Sequence, residues 1–154
     1  MNCAGMDVTL VPCPHDRAAL IRDEAAGGRA EPVTATVAEV DVVERFLACM
    51  MDHDWRGLGA CVTDDVVRVG PYGDTYRGRD DYVAFVSGLL PTLASYEMKV
   101  HRVVYNADER VSTAELSETV EVDGRMVVTP ESLVFDIDDR GRIAHLAVYI
   151  QRQP

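Results

Sequence analysis

Two glutamates lie on predicted strands where most same-face neighbours are apolar. Side chains two residues apart on a strand share a face. The same-face neighbours are Ala114, Leu116 and Val120 for Glu118, and Thr129, Leu133 and Phe135 for Glu131. Burial and the proximity of a second carboxylate both raise a carboxyl pKa toward neutrality. If these faces line a cavity, Glu118 and Glu131 are therefore a candidate general acid/base pair.

The position of Glu131 depends on the proline that precedes it. Proline is common at strand bulges, and a bulge at Pro130 would turn Ser132 inward and send Glu131 to solvent. A regular strand would instead keep both glutamates on one face. Arg102, toward the end of the preceding predicted strand, is a candidate counter-charge for the pair.

Other residue types with reactive side chains show no recognisable site pattern. The four cysteines have no C-x-x-C spacing, and Cys49 and Cys61 fall at apolar helix positions, which predicts buried free thiols. The alternative, a catalytic Cys, needs a His nearby in space. The histidines lack metal-ligand spacing, and no nucleotide-binding or hydrolase-elbow motif occurs. We therefore expect no metal and no cofactor.

Length and charge restrict the class of protein. The 154 residues, 47% of them hydrophobic, suit one domain with a single core. The formal charge of -11 comes without a Lys/Arg cluster, so nucleic acid and anionic membranes are poor partners. Apolar stretches are too short to span a bilayer, and the N-terminus lacks the pattern of a secretory signal. A cytoplasmic location is expected.

Residues 1–36 differ in pattern from the rest of the chain. They carry prolines, Gly27-Gly28 and many alanines, with a weak helical pattern only over Asp16 to Ala26. This segment is predicted to be an N-terminal appendage that is loosely attached, or the product of a start codon placed too far upstream. Residues 37–154 are predicted to form the folded domain.

Three helices are predicted in the first half of that domain. From Val37, apolar residues recur at three- and four-residue steps as far as Met50-Met51, which indicates an amphipathic helix. Asp54 is a candidate N-cap for a second, short helix over Trp55 to Val62. A third helix is expected from Asp80 to about Leu93, with a proline perturbing its last turn.

Strands dominate the remainder. Thr63-Asp64-Asp65 is predicted to end the second helix. A first strand is expected to start at Val66 and to enter a short hairpin. The later predicted strands cover Tyr96 to Tyr105, Val111 to Val122, Met126 to Ile137 and Ile143 to Gln151. Their short connections predict an antiparallel meander, with the helices on one face of the sheet.

Three segments carry a resemblance to a known family. They are Asp54-Trp55-Arg56-Gly57-Leu58 through Thr63-Asp64-Asp65-Val66, then Tyr76-Arg77-Gly78-Arg79-Asp80, then Asp138-Asp139-Arg140-Gly141-Arg142-Ile143. Together with the element order, they resemble the nuclear-transport-factor-two-like superfamily, with its SnoaL-like and ketosteroid-isomerase-like families. The resemblance implies an α+β cone: three N-terminal helices packed on a strongly curved, mainly antiparallel sheet that encloses a pocket.

The catalytic patterns of these families do not transfer intact. By the resemblance, the ketosteroid isomerase base falls on Gly70, its tyrosine on Phe46 and its protonated acid on Leu133. None of these three can exchange a proton or donate a side-chain hydrogen bond, so isomerisation by that mechanism is not expected. The late carboxylate of limonene epoxide hydrolases falls near Val148, and SnoaL-type cyclases also need an acid that the last strand lacks.

The family's hairpin turns imply which faces line the pocket. They place Leu146, Val148 and Ile150 inward on the last strand, together with the faces of both glutamates. The expected substrate-binding residues are Phe46, Met50, Tyr72, Tyr76, Phe85, Tyr96, Met98, Arg102, Leu116, Leu133, Phe135, Leu146 and Val148. The tyrosines among them are secondary donors or ordinary packing residues.

Two functions follow as hypotheses. The first is a cofactor-independent acid/base enzyme, namely a cyclase, isomerase, dehydratase or epoxide-opening enzyme, that acts on a small hydrophobic metabolite such as a polyketide or terpenoid. The second is a noncatalytic small-molecule-binding or dimerisation module. The family implies a homodimer through the outer sheet face, with Tyr149, His145 and Ala147 in the contact.

Overall fold

The computed structural model describes residues 37–151, and side-chain surroundings from residue 42 onward. The predictions for residues 1–36, and for the last three residues of the domain, lie outside the described residues. The helices are α1 Val37–Met51, α2 Trp55–Cys61 and α3 Arg79–Leu89, followed by a 3-10 turn Leu90–Thr92. The strands are β1 Val62–Val69, β2 Thr75–Arg77, β3 Glu97–Asn106, β4 Val111–Val122, β5 Arg125–Ile137 and β6 Ile143–Ile150. The predicted α+β class is confirmed.

The helix boundaries follow from local chemistry. Asp54 caps α2 as predicted, because its Oδ1 accepts a hydrogen bond of 2.9 Å from the backbone N–H of Gly57. Gly78, at φ 89°, precedes α3 in a conformation that other residues rarely adopt. α3 ends at Leu89 rather than near Leu93, since the 3-10 turn that contains Pro91 replaces its expected last turn.

The first strand begins four residues earlier than the sequence indicated. Val62 follows α2 directly and opens β1, so the prediction that Thr63-Asp64-Asp65 separates helix from strand is wrong. The two aspartates are exposed, and the pairing of β1 with β6 shifts register between Val62 and Val67. This irregularity lets both carboxylates face water while Val62 and Val66 enter the core.

The six strands form one mixed sheet in the order β2-β1-β6-β5-β4-β3. β3 to β6 are joined as an antiparallel meander, but β1 pairs with β6 in parallel. The sheet is therefore mainly antiparallel, as expected, although it is not a pure meander. The parallel pair is possible because α3 and four strands separate β1 from β6 along the chain.

Aromatic rings connect the helices to the sheet. The ring of Phe46 on α1 stacks with Tyr82 on α3, with centroids 6.3 Å apart, and meets Phe135 on β5 edge-on at 5.7 Å. All three side chains are buried. These contacts fix both helices against the inner sheet face. Within residues 37–151, no helix is long and apolar enough to cross a membrane.

Candidate functional site

A cavity of about 580 Å³ lies between α3, the β1–β2 turn and the inner faces of β4, β5 and β6. Its wall is mostly apolar, with residues such as Leu133, Leu146 and Val148. One arginine and three acidic residues also line it: Arg68, Asp74, Glu118 and Glu131. A cavity of this size and lining is typical of a small-molecule site.

Regular pairing between β4 and β5 brings the two glutamates into this cavity. The register runs without a shift through Leu116 opposite Glu131, Ser117 opposite Pro130 and Glu118 opposite Thr129. Pro130 therefore causes no bulge in this strand pair. Glu118 and Glu131 are diagonal neighbours on one sheet face, where side chains are close enough to interact.

Glu131 holds a proton at neutral pH. Burial raises the pKa of its carboxyl to about 8, and the negative charge of Glu118 and a side-chain hydrogen bond to Glu118 act in the same direction. The positive charge of Arg68 opposes this shift only in part. The pair can thus hold one proton between two carboxyl groups near physiological pH, with Glu131 as its main site.

Tyr96 supports Glu118 from the edge of the cavity. Its hydroxyl donates a hydrogen bond of 2.7 Å to Oε1 of Glu118. Burial and the Glu118 charge raise the pKa of the Tyr96 phenol, so the phenol stays a neutral donor. Glu118 therefore has Tyr96 and Glu131 as its hydrogen-bond partners.

An ion pair lies at the β1–β2 side of the cavity. Arg68 on β1 pairs with Asp74, which follows the turn. The guanidinium of Arg68 lies 5.0 Å from the ring centroid of Phe85 and 5.9 Å from that of Tyr76, and these two rings stack on each other. The pair occupies the space that a Cβ atom at position 70 would fill, so a larger residue there would displace the ends of these two side chains.

The structure places about half of the predicted substrate-binding residues on the cavity wall. Those that line it are Met50, Tyr72, Tyr76, Phe85, Leu133, Leu146 and Val148. Those that belong to the core and do not line it are Phe46, Leu116 and Phe135. Tyr96 and Met98 pack against the core, and Tyr96 reaches the site through Glu118.

Arg102 is not the counter-charge of the glutamate pair. It is exposed and pairs instead with Glu115, with Nη2 2.6 Å from Oε1. The pairing of β3 with β4 shifts register between Val100 and Arg102. This irregularity turns Arg102 away from the cavity, although simple alternation with Val100 would have pointed it inward.

Several cavity residues were missed in the sequence. Arg68 lies between Val67 and Val69, a pattern that suggests a solvent-facing side chain. Tyr82 on α3 was not among the predicted site residues, yet its side chain lines the cavity. Asp74 carries no signal in the sequence, because only the folded hairpin brings it to Arg68.

Cys49 and Cys61 are buried free thiols, as predicted. Burial raises the pKa of the Cys49 thiol, which makes it a poor nucleophile. Among residues 37–151, no three His, Cys, Asp or Glu side chains are grouped so that they could hold a metal ion.

The sequence matches the family model of the SnoaL-like domain over residues 43–146. This match covers more than half of the chain, from the middle of α1 to the middle of β6. The chain belongs to the SnoaL-like domain family. A search of curated proteins finds no match to this SnoaL-like protein.

Solved structures of the same fold agree with this assignment. An LEH-like epoxide hydrolase of M. tuberculosis superposes with a TM-score of 0.63 and 22% identity, covering 74% of this chain and 83% of that one. A candidate polyketide cyclase of Xanthomonas campestris superposes with a TM-score of 0.64 and 20% identity, covering 75% of this chain and 92% of that one. A third structure is a protein of ketosteroid isomerase-like fold from Catenulispora acidiphila in complex with trimethylamine. It superposes with a TM-score of 0.62 and 14% identity, covering 71% of this chain and 84% of that one. At these sequence identities, the structural similarity shows only that this chain shares the fold of these proteins.

Proposed function

We propose that this SnoaL-like protein is a cofactor-independent acid/base enzyme that acts on a small hydrophobic metabolite. The observation that carries the proposal is the placement of Glu118 and Glu131 together inside a mostly apolar cavity, where burial raises the pKa of the Glu131 carboxyl to about 8. A carboxylic acid that stays protonated near neutral pH can donate that proton, and a carboxylate beside it can accept one.

The pair supports a balanced proton transfer. Glu118 removes a proton from a carbon or hydroxyl of the ligand, and Glu131 delivers its own proton to another atom of the same ligand. The two carboxyl groups exchange roles, and the hydrogen bond between them lets the proton return. Such transfer is sufficient for isomerisation, dehydration, aldol-type cyclisation or epoxide opening, and it requires no cofactor.

The cavity wall favours an apolar ligand. Its lining includes aliphatic side chains from β5 and β6 and the rings of Tyr76 and Phe85. Burial of apolar ligand surface against these side chains supplies binding energy, while the few polar groups orient the reacting atoms. A polyketide or terpenoid of two or three rings suits this combination. The epoxide hydrolase and candidate cyclase with the same fold support these substrate classes.

Single substitutions test the proposal directly. Turnover of a panel of polyketide-type ketones and terpenoid epoxides is measured for the wild type, Glu118→Gln and Glu131→Gln. Each amide keeps the shape of its carboxyl group but cannot exchange a proton in the same way. Loss of a general acid or base lowers the rate about 100-fold or more. Glu109→Gln, at an exposed turn position, is the matched control. Unchanged turnover in both cavity variants would reject the assigned roles.

A noncatalytic binding module is the second candidate. The observation that favours it is that Phe46 and Leu133, which fall on catalytic positions of ketosteroid isomerases, are buried apolar side chains. Under this alternative the cavity binds a ligand that is recovered unchanged. Mass spectrometry of the ligand after prolonged incubation separates the two functions, since the enzyme alters the ligand and the module does not.

We also propose a homodimer formed through the outer sheet face. Tyr149 and Val128, whose side chains lie on the face opposite the cavity, are 60% and 49% exposed. Exposed apolar side chains on a sheet face are typical of an interface between copies. Ala147, expected in this contact, is nearly buried within the monomer, so the exposed contact centres on Tyr149.

Sedimentation analysis tests this dimer. Tyr149→Glu and Val128→Glu are expected to convert it to a monomer, because each places a charge in an apolar contact. Met51→Glu, at an exposed apolar position on α1, is the control. Wild-type protein that sediments as a monomer would reject the dimer. The cytoplasmic location and the domain limits at residues 37–154 stay predictions, which cell fractionation and limited proteolysis can test.

A further inference from the structure

Tyr82 is a buried residue whose side chain opens onto the cavity. Only 2% of Tyr82 is exposed, and its side chain lines the cavity. Within residues 37–151 its hydroxyl makes no hydrogen bond, whereas the Tyr96 hydroxyl is bonded to Glu118. A donor at an apolar cavity wall gains a modest net stabilisation when it meets an acceptor. The Tyr82 hydroxyl is therefore a donor that a molecule bound in the cavity can engage.

The ring of Tyr82 is held firmly in place. Its ring stacks against Phe46, and its backbone N–H donates a hydrogen bond of 3.1 Å to the carbonyl of Gly78 at the start of α3. Both neighbours belong to regular or tightly turned backbone. A donor on such a support is preorganised, which is the property that a recognition residue needs.

The charges around Tyr82 restrict the kind of molecule that can meet it. Burial raises the pKa of the phenol, and the charge of Glu118 raises it further, so the hydroxyl remains a donor. The positive charge of Arg68 lowers the pKa of the same phenol, so Tyr82 lies close enough to both Arg68 and Glu118 to be affected by their charges. An ammonium ligand can donate to the Tyr82 oxygen but offers no acceptor for its hydroxyl hydrogen. Arg68 is already paired with Asp74, so a carboxylate ligand meets Glu118 without a free counter-charge from this pair.

We propose that Tyr82 is a specificity-determining residue, and that the cavity selects an uncharged apolar compound carrying an oxygen atom that accepts a hydrogen bond from the Tyr82 hydroxyl. This inference rests on the proposed function, because it names the class of compound on which the glutamate pair acts. It adds a recognition group on α3 to the acid/base groups on the sheet.

A pair of isosteric probes tests the proposal by equilibrium binding. 2-Acetylnaphthalene carries a carbonyl oxygen, and 2-isopropenylnaphthalene replaces that oxygen with a methylene group. Calorimetric titration is carried out with wild-type protein, Tyr82→Phe and, as the matched control on the outer sheet face, Tyr149→Phe. Tyr82→Phe is expected to weaken binding of the ketone about three- to tenfold, the usual worth of one neutral hydrogen bond. Binding of the alkene should not change, and Tyr149→Phe should bind both probes as the wild type does.

Infrared spectroscopy of the bound ketone measures the carbonyl stretching frequency, which would not change if Tyr82 had only a structural role. A hydrogen bond from Tyr82 lowers the carbonyl stretching frequency, and the frequency should rise again in Tyr82→Phe. If Tyr82→Phe does not fold, the wild-type spectrum still decides, since an unshifted carbonyl band overturns the proposal. Equal loss of affinity for both probes, or no saturable binding of the ketone, also overturns it.

The result of the Tyr82 binding test does not depend on the turnover assays of the glutamate variants. Unchanged catalysis in Glu118→Gln and Glu131→Gln would remove the proposed acid/base function, yet a ketone-specific loss in Tyr82→Phe would still stand. Conversely, a reactive glutamate pair with no ketone preference at Tyr82 would reject this inference alone.

Discussion

The hydroxyl of Tyr96 donates a hydrogen bond of 2.7 Å to Oε1 of Glu118, from a position just before β3 to the middle of β4. Glu118 has a second hydrogen-bond partner in the protonated Glu131. One carboxylate is therefore surrounded by two hydroxyl donors inside the cavity. In this arrangement burial raises the pKa of the Glu131 carboxyl to about 8, which makes Glu131 the proton donor of the pair before a ligand enters.

Tyr96→Phe is expected to lower turnover about tenfold or more with a smaller change in KM. The phenyl ring keeps the packing, but Glu118 loses a donor to its charged form, and such a bond is worth about 1.5–3 kcal/mol. Steady-state kinetics on an established substrate measure the effect, with Tyr149→Phe as the control. An unchanged kcat would show that Tyr96 does not support the reacting carboxylate.

The pH dependence of stability should report the proton on Glu131. Its pKa rises from the usual 4.5 to about 8 on folding. Between these values the folded protein keeps a proton that the unfolded chain releases. The stability that this group contributes is therefore complete below about pH 4.5, declines as pH rises, and is lost above about pH 8.

Glu131→Gln removes this titration, so its stability should change less than that of the wild type between about pH 5 and pH 8. Denaturant unfolding at several pH values compares the two proteins. Glu109→Gln, which changes an exposed carboxylate, should follow the wild-type curve. Parallel curves for wild type and Glu131→Gln would contradict a protonated Glu131.

Gly70→Ala should destabilise the protein by about 1–3 kcal/mol, because the added methyl group meets the Arg68–Asp74 ion pair. A double-mutant cycle isolates the cause. In the background Arg68→Ala/Asp74→Ala, the same substitution should cost much less. An equal cost in both backgrounds would mean that the backbone conformation, rather than the ion pair, requires glycine. Denaturant unfolding gives each free energy.

Two helical glycines should respond in opposite directions to alanine. At Gly57 a Cβ atom would lie 2.7 Å from Sγ of Cys49 and 2.8 Å from Cγ of Asp54, so Gly57→Ala should disturb the α2 cap. We expect a loss of about 1–3 kcal/mol. At Gly88 on α3 no atom lies within 4 Å of the added Cβ atom, so Gly88→Ala should stabilise the protein by about 0.5–1 kcal/mol. Thermal unfolding of the two variants provides the comparison, and similar shifts in Tm would contradict it.

Much of the cavity wall could be predicted from strand alternation. On β4, β5 and β6 the two-residue period and the short hairpin turns are local properties, so the shared faces of Glu118, Glu131 and Val148 are visible in the sequence. The same rule failed for Arg102, because the irregularity in β3 has no marker such as glycine or proline at its position. Alternation is reliable only where the pairing of the strands is regular.

The parallel pairing of β1 with β6 could not be predicted by the same means. Hairpin lengths reveal which strands are neighbours along the chain, but this pair joins segments far apart in sequence. The pairing partner of β1 depends on how α3 returns the chain across the sheet. Arg68 was missed for the same reason, since its partner Asp74 and the rings beneath it meet only in the folded hairpin.

The sequence by itself determined the family, the element order and the presence of two carboxyl groups on one apolar sheet face, because these depend on local periodicity and turn residues. Only the tertiary structure decided that Glu131 is buried enough to keep its proton, that Tyr96 reaches Glu118, and that Tyr82 faces the cavity. Proton affinity and hydrogen bonding depend on desolvation and on distances of a few ångströms between distant segments, and those distances are set when helices and sheet pack together.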